Sequence, residues 1–166
     1  FKSVSTRAPL RVGLAGGGTD IKKFYLKNGG SVVNFAIKKF HHIYVKPTEN
    51  NEYIYINHNT NKSYLFEIEN NYSKSEEHYL ISGTISHFLN EFKLDSLGLE
   101  ISIFSDAPRG SGLGSSSSLV VGLISTLCSI YSINLNNNKI ADLAYKIERI
   151  KLKLDGGTQD QYVCAY

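Results

Sequence analysis

The sequence predicts an α+β domain, with strands early and helices late. Three observations carry this. Short β-rich runs with polar turns fill the first part of the chain. One alternating strand, "LGLEISIF", stands in the middle, and two stretches with helical apolar spacing follow it. Between that strand and the first late helix lies "DAPRGSGLGSSSS", dense in glycine and serine.

The elements follow in order. "SVSTRAPLRVGLAGGGTD" opens extended, with Val12 and Leu14 on one side, and ends at the cluster Gly16–Gly18. "DIKKFYLKN" reads as a short helix that Asp20 can cap and Gly29 and Gly30 can stop. "SVVNFAIKKF", "HHIYVKP", "EYIYIN" and "SYLFEIE" read as strands, with turns such as "TENN" and "NHNTN" between runs. From His78 to Phe92, Ile81, Ile85, Phe88 and Phe92 share one helical stripe. Leu97, Leu99, Ile101 and Ile103 then alternate with Gly98, Glu100 and Ser102, as a half-buried strand does. After the loop, Leu119, Val120, Leu123, Ile124 and Leu127 keep helical spacing. Ile140, Leu143, Ala144 and Ile147 mark a last helix, and "NLNNNK" connects the two. There is no internal repeat.

Composition narrows the function. With 166 residues, 42% hydrophobic and 20% charged, the chain can build one ordinary core. A net charge of +3 suits an anionic small molecule. The lysines come in scattered pairs (Lys22 and Lys23, Lys38 and Lys39), not in the stripe that nucleic acid requires. Cys128 and Cys164 show no C-x-x-C or metal spacing, which predicts buried reduced thiols of a cytoplasmic protein. The five histidines lack metal spacing too. His41 and His42 are adjacent in a strand and face opposite sides; His78 and His87 lie nine apart on a helix. No apolar run reaches the ~18 residues of a membrane span, and no signal peptide is visible. The chain has no methionine, starts at Phe1 and reaches Tyr166 without a recognisable closing element, so a trimmed or truncated polypeptide is expected.

The loop is where chemistry enters. The first turn of a helix offers unpaired N–H groups and a partial positive charge, and glycine lets the backbone approach an anion closely. Serine hydroxyls at the same place can donate to phosphate or reach a metal ion. The alternatives are a plain loop with an N-cap, or a linker, although a linker does not run from an alternating strand straight into an amphipathic helix. Walker A fails because no lysine follows the glycines, and Gly110, Gly112 and Gly114 give G-x-G-x-G instead of the Rossmann G-x-G-x-x-G. Gly16–Gly18 with "FAIK" imitates a protein kinase, but no H-R-D-x-x-x-x-N or D-F-G follows.

"PRGSGLGSSSS" resembles the P-x-x-x-G-L-G-S-S-[AS] motif of the GHMP kinases, the galactokinase, homoserine, mevalonate and phosphomevalonate kinase superfamily. "RAPLRVGLAGGGTD" is similar to that superfamily's N-terminal sugar-kinase motif, and "GGTQDQY" to its G-x-x-D-Q segment. The three stand in the family's order. Galactokinases read G-E-H-T-D-Y where this chain reads GGGTD; the wording here is most similar to D-glycero-D-manno-heptose 7-phosphate kinases. Fucose-type and galactose-type kinases stay open as alternatives, although the departure from the galactokinase wording argues against galactose.

The resemblance implies a GHMP N-terminal fold, like that of one ribosomal protein domain, over residues 1–166, with the C-terminal domain outside this chain. It implies ATP and Mg²⁺ as cofactors and transfer of the γ-phosphate to the anomeric hydroxyl of the heptose phosphate. Pro108, Gly110, Ser111, Gly112, Leu113, Gly114, Ser115, Ser116 and Ser117 would hold ATP. Ser116 and Glu148 would hold the metal; without the resemblance, Glu148 reads sooner as a solvated helix carboxylate paired with Arg149 or Lys151. Asp160 would be the base and Arg11 its cationic neighbour. Gly17, Gly18, Thr19, Asp20, Gln159 and Gln161 would meet the sugar, with Lys22, Lys23 and Arg7 as candidates for its distal phosphate. Expected partners are therefore ATP and a sugar phosphate, with no nucleic acid and no membrane; a homo-oligomer stays open. Two readings compete. One is a non-catalytic nucleotide- or RNA-binding domain of the same fold. The other is a decarboxylase acting on mevalonate diphosphate, which the sugar-type T-D disfavours.

Overall fold

The computed structural model describes residues 2–68 and 78–166. Among these described residues five strands form one mixed sheet in the order β1-β2-β5-β3-β4: β1 is Val4–Ala15, β2 Val33–Pro47, β3 Tyr53–Asn57, β4 Lys62–Phe66 and β5 Leu99–Ser105. All neighbours are antiparallel except β3 and β5, which run parallel. A parallel pair needs a crossover, and the chain returns through α2 (Tyr79–Phe92) before β5. The α+β expectation holds.

Side-chain alternation decides which face of the sheet is covered. On β2, His41, Ile43 and Val45 are buried while His42, Tyr44 and Lys46 are exposed. On β5, Leu99, Ile101 and Ile103 point the same way as the buried β2 residues. Against them pack Ile81, Ile85 and Phe88 of α2 and Leu123, Ile124 and Leu127 of α3 (Ser115–Ile130). Each such fully buried Leu or Ile contributes about 1.5–3 kcal/mol. The opposite face stays open, with Arg7 lying over the Phe40 ring at 4.8 Å.

Three elements differ from the sequence reading. "SVVNFAIKKF" and "HHIYVKP" form one strand, β2. Its register against β1 jumps between Pro9↔Phe40 and Leu10↔Ile37, so Lys38 and Lys39 form a bulge where two strands were expected to meet. The last stripe helix is two pieces: α4 (Asn137–Tyr145), capped by the Asn136 side chain accepting from Lys139 N–H, and then a π-helical turn, Lys146–Lys151. Near the C-terminus, where the sequence reading named no element, Gln159–Ala165 forms α5. Residue 69 of "SYLFEIE" and Phe1 lie outside the described residues.

α1 (Lys22–Asn28) forms as expected, but its N-cap is Ile21, with no side-chain cap. Asp20 is therefore left for another use. Both cysteines are free and buried, as expected, and burial pushes the Cys128 thiol up to about 11 and the Cys164 thiol up to about 12, so neither is a ready nucleophile. Among the described residues, no helix is long and apolar enough to cross a membrane.

Candidate active site

The glycine–serine loop is launched from a fixed point. Ser105, the last residue of β5, exchanges two hydrogen bonds with the Asn59 side chain, both 2.8 Å. Asp106 N–H then donates to the Phe40 carbonyl at 3.0 Å, and Phe40 N–H donates to the Asp106 carboxylate at 2.9 Å. Beyond this anchor the backbone winds through Gly110, Gly112 and Gly114, with φ of 78°, 72° and 71°. Residues with a Cβ rarely adopt that left-handed region, so alternating glycine is what the path demands.

α3 starts directly after Gly114. Its first helical bond is Ser118 N–H to the Gly114 carbonyl, 2.9 Å. By helix geometry the N–H groups of Ser115, Ser116 and Ser117 have no acceptor within the helix, and the Gly114 cap has no side chain to serve them. The first turn carries no acidic residue. Such a helix start offers unpaired amides and a partial positive charge to an anion. Among the described residues Ser111 Oγ, buried in the same loop, has no hydrogen-bond partner, one more donor available to a ligand.

Glu148 sits behind the serines, on the π-helical turn, and is fully buried. Burying a lone carboxylate is costly unless donors surround it, and here they do. Ser116 Oγ donates to Oε1 at 2.5 Å, Ser117 Oγ to Oε2 at 2.8 Å, and Gln161 Nε2 to Oε2 at 2.6 Å. The solvated-carboxylate alternative is thus overturned; Arg149 approaches only to 3.8 Å and Lys151 is exposed.

On the other side, Arg11 Nε and Nη2 each donate to one oxygen of Asp160 at 2.7 Å, and Nη1 donates to the Gly112 carbonyl at 2.6 Å. Its backbone N–H holds the Leu113 carbonyl at 2.9 Å. The hydrogen bond to Asp160 raises the Arg11 pKa above its ordinary value, against the opposing effect of burial. Asp20 is 8% exposed and accepts from Gly18 N–H at 3.3 Å and Gln159 N–H at 3.0 Å. Thr19 turns its hydroxyl to the Gly16 carbonyl, 2.7 Å, and accepts from Ser31 N–H at 3.1 Å, so it braces the glycine turn.

The loop divides two cavities. One, of about 240 Å³, is lined by Arg11, Gly13, Gly17, Gly112, Leu113 and Gln159. The other, about 650 Å³, runs along Gly110, Ser115 and Ser116 to Tyr55, Asn57 and Tyr79. His41 also lines the larger cavity, and burial, with His42 adding, pushes its pKa down to about 4.

The profile of the "GHMP kinases N terminal domain" matches residues 79–166, more than half of the chain. The chain belongs to the GHMP kinases. It is 35% identical, over its whole length, to the D-glycero-alpha-D-manno-heptose 7-phosphate kinase of Campylobacter jejuni, of which it covers 49%. It is 29% identical over 94% of its length to the L-fucokinase/L-fucose-1-P guanylyltransferase of Bacteroides fragilis, covering 19% of that protein. Among solved structures, a D-glycero-D-manno-heptose 1-phosphate kinase from Bacteroides thetaiotaomicron superposes with a TM-score of 0.88 at 31% identity, over 98% of this chain and 53% of the other. The chain thus spans about half the length of the heptose-kinase relatives it matches.

Most of the expected site residues of this GHMP kinase domain gather in one region. Pro108 to Ser117 form the loop and helix start, Ser116 meets Glu148, and Arg11 meets Asp160. Gly17, Gly18, Asp20 and Gln159 cluster nearby, with Gln159 Oε1 accepting from Asn34 Nδ2 at 3.3 Å. Gln161 is the exception. It is fully buried under Glu148 and Ser117, away from the small cavity, where it orients the carboxylate. Lys22 and Lys23 are exposed on α1, and Arg7 lies over Phe40 on the open face. The cavity walls Tyr55, Asn57 and Tyr79 went unremarked, because β3 and α2 line one cavity only through tertiary packing; His41, read only as a strand residue without metal spacing, also lines it.

The Glu148 carboxylate and Ser116 hydroxyl fit Mg²⁺, a hard cation that takes one or two protein oxygens and completes its shell with phosphate and water. Among the described residues no group of three or more His, Cys, Asp or Glu is placed to hold a metal ion.

Proposed function

We propose that the protein carrying this chain is a cytoplasmic, ATP-dependent sugar-phosphate kinase. It transfers the γ-phosphate of ATP to the anomeric hydroxyl of D-glycero-D-manno-heptose 7-phosphate, a step toward nucleotide-heptose for surface polysaccharide. One observation carries the reading: the glycine–serine loop leading into the first turn of α3 stands between two cavities, and Arg11 ties that loop to Asp160 at its boundary. The heptose-kinase likenesses support the choice of sugar.

In this reading the loop amides and the start of α3 cradle the triphosphate, while the larger cavity takes the nucleoside. Ser116 and Glu148 would hold Mg²⁺, which supplies neutralising charge on the phosphates when bound. Asp20 and Gln159 orient sugar hydroxyls in the smaller cavity. Asp160 accepts the proton of the attacking hydroxyl; each of its oxygens keeps a lone pair beyond the one Arg11 occupies. Phosphoryl transfer asks mainly for positioning and charge neutralisation, and this geometry provides both.

Incubating the protein with ATP, Mg²⁺ and heptose 7-phosphate should yield the 1,7-bisphosphate and ADP. The fucokinase likeness makes a free sugar the second reading, so the screen includes L-fucose and D-galactose. Turnover of a free sugar alone would replace the heptose assignment. RNA binding without Mg²⁺-dependent ATP binding would replace the kinase reading.

A further inference from the structure

Arg149 has no role in the chemistry above, yet it is largely buried, with 11% of its side chain exposed. A buried guanidinium must be satisfied, and its partners here are specific. Nε donates to the Gly157 carbonyl at 3.1 Å. Nη1 stands 3.8 Å from Glu148 Oε1, an ion pair without a hydrogen bond. The rest of the group lies flat on Gly156, where an added Cβ would fall 2.9 Å from both Cζ and Nη2.

The next residue extends the contact. A Cβ on Gly157 would fall 1.9 Å from Asp20 Oδ2, so the Asp20 carboxylate rests directly on that peptide. The same oxygen accepts Gln159 N–H at 3.0 Å. One side chain therefore stands between the metal-side carboxylate, Glu148, and the turn on which the sugar-side carboxylate is seated. That turn also leads into α5, which carries Asp160.

We infer that Arg149 is a positioning residue for the sugar site: by holding the Gly156–Gly157 turn it sets the Asp20 carboxylate at the distance and angle that sugar hydroxyls require. It acts through Asp20 and does not touch the acceptor. The inference rests on the kinase reading, in which Asp20 meets the sugar. Lysine at this position would keep a cation near Glu148 but has no Nε–H to give the Gly157 carbonyl in the same pose. The two functions of Arg149, charge beside Glu148 and geometry at Gly157, are thereby separable.

The test compares Arg149→Gln and Arg149→Lys with the unsubstituted protein. Calorimetry measures binding of heptose 7-phosphate without ATP or Mg²⁺, and steady-state kinetics measures both KM values. Both variants should weaken sugar binding and raise the sugar KM roughly 10- to 100-fold, as expected for loss of a group that orients a binding residue. The KM for ATP and the Mg²⁺ requirement should change by less than about threefold. Wild-type sugar affinity in Arg149→Lys, or a parallel rise of both KM values, would overturn the inference. Thermal unfolding accompanies each variant; if the glutamine variant fails to fold, the lysine variant, which keeps charge and length, decides alone. Failure of the unsubstituted protein to bind or turn over heptose phosphate would instead reject the kinase reading.

Discussion

Arg11 holds both carboxylate oxygens of Asp160 at 2.7 Å while its third nitrogen holds the Gly112 carbonyl at 2.6 Å. One guanidinium thus fixes the group assigned as base and the loop assigned to phosphate. Lysine cannot reproduce a fork that grips a carboxylate and a carbonyl together. Arg11→Lys should lower kcat/KM on the order of 10²-fold and Arg11→Gln should lower it further. Kinetics with ATP and sugar varied separately checks this. Loss confined to one substrate's KM would show that Arg11 serves only one side.

Glu148→Gln keeps the shape of the buried side chain but removes the charge on which Ser116, Ser117 and Gln161 converge. The Mg²⁺ concentration for half-maximal activity should rise roughly 10- to 100-fold. Mn²⁺ binding followed by electron paramagnetic resonance in the presence of nucleotide should weaken in parallel. Ser116→Ala should give a smaller shift in the same direction.

Gly114→Ala places a Cβ 2.9 Å from Arg11 Cγ at a φ of 71°, so both the turn and Arg11 must yield. Strain of this kind costs of order 1–3 kcal/mol. The KM for ATP should rise at least about tenfold; because Arg11 also lines the smaller cavity, heptose 7-phosphate binding without nucleotide, measured by calorimetry, should weaken by a smaller factor.

His41 gives a pH prediction. It is buried, with Nδ1 3.3 Å from Ser118 Oγ of α3; His42 and Asp106 are the charged groups acting on it. Its folded pKa, about 4, lies below the ordinary 6.5. Between those values the unfolded chain binds a proton that the folded chain refuses, so stability rises with pH across that window and levels off above it. The effect is on the order of 3 kcal/mol at most. Thermal unfolding from pH 4 to 8 should show this rise, and His41→Gln should flatten it. An equal slope in the variant would assign the dependence to other groups.

Where one residue's neighbours in sequence determine its environment, the sequence was informative. The alternation of Leu99, Ile101 and Ile103 gave β5, the stripe through Ile81, Ile85 and Phe88 gave α2, and the glycine spacing marked the left-handed turns of the loop. Distant partners were less legible. The Lys38–Lys39 bulge depends on register against β1, so one long strand read as two. α5 spans only Gln159–Ala165, too short to display a period, and Gln161 could not be separated from Asp160 without its helix. The burial of Glu148 depends on donors from α3 and α5, and its charge alone read as solvated.

Asp160→Asn tests the central claim most directly. The amide keeps the shape of the carboxylate, so ATP and heptose 7-phosphate should still bind with KM values within a few fold, while kcat falls by about 10²- to 10⁴-fold. Near-normal turnover by the variant would contradict the assignment of Asp160 as the base and, with it, the proposed mechanism.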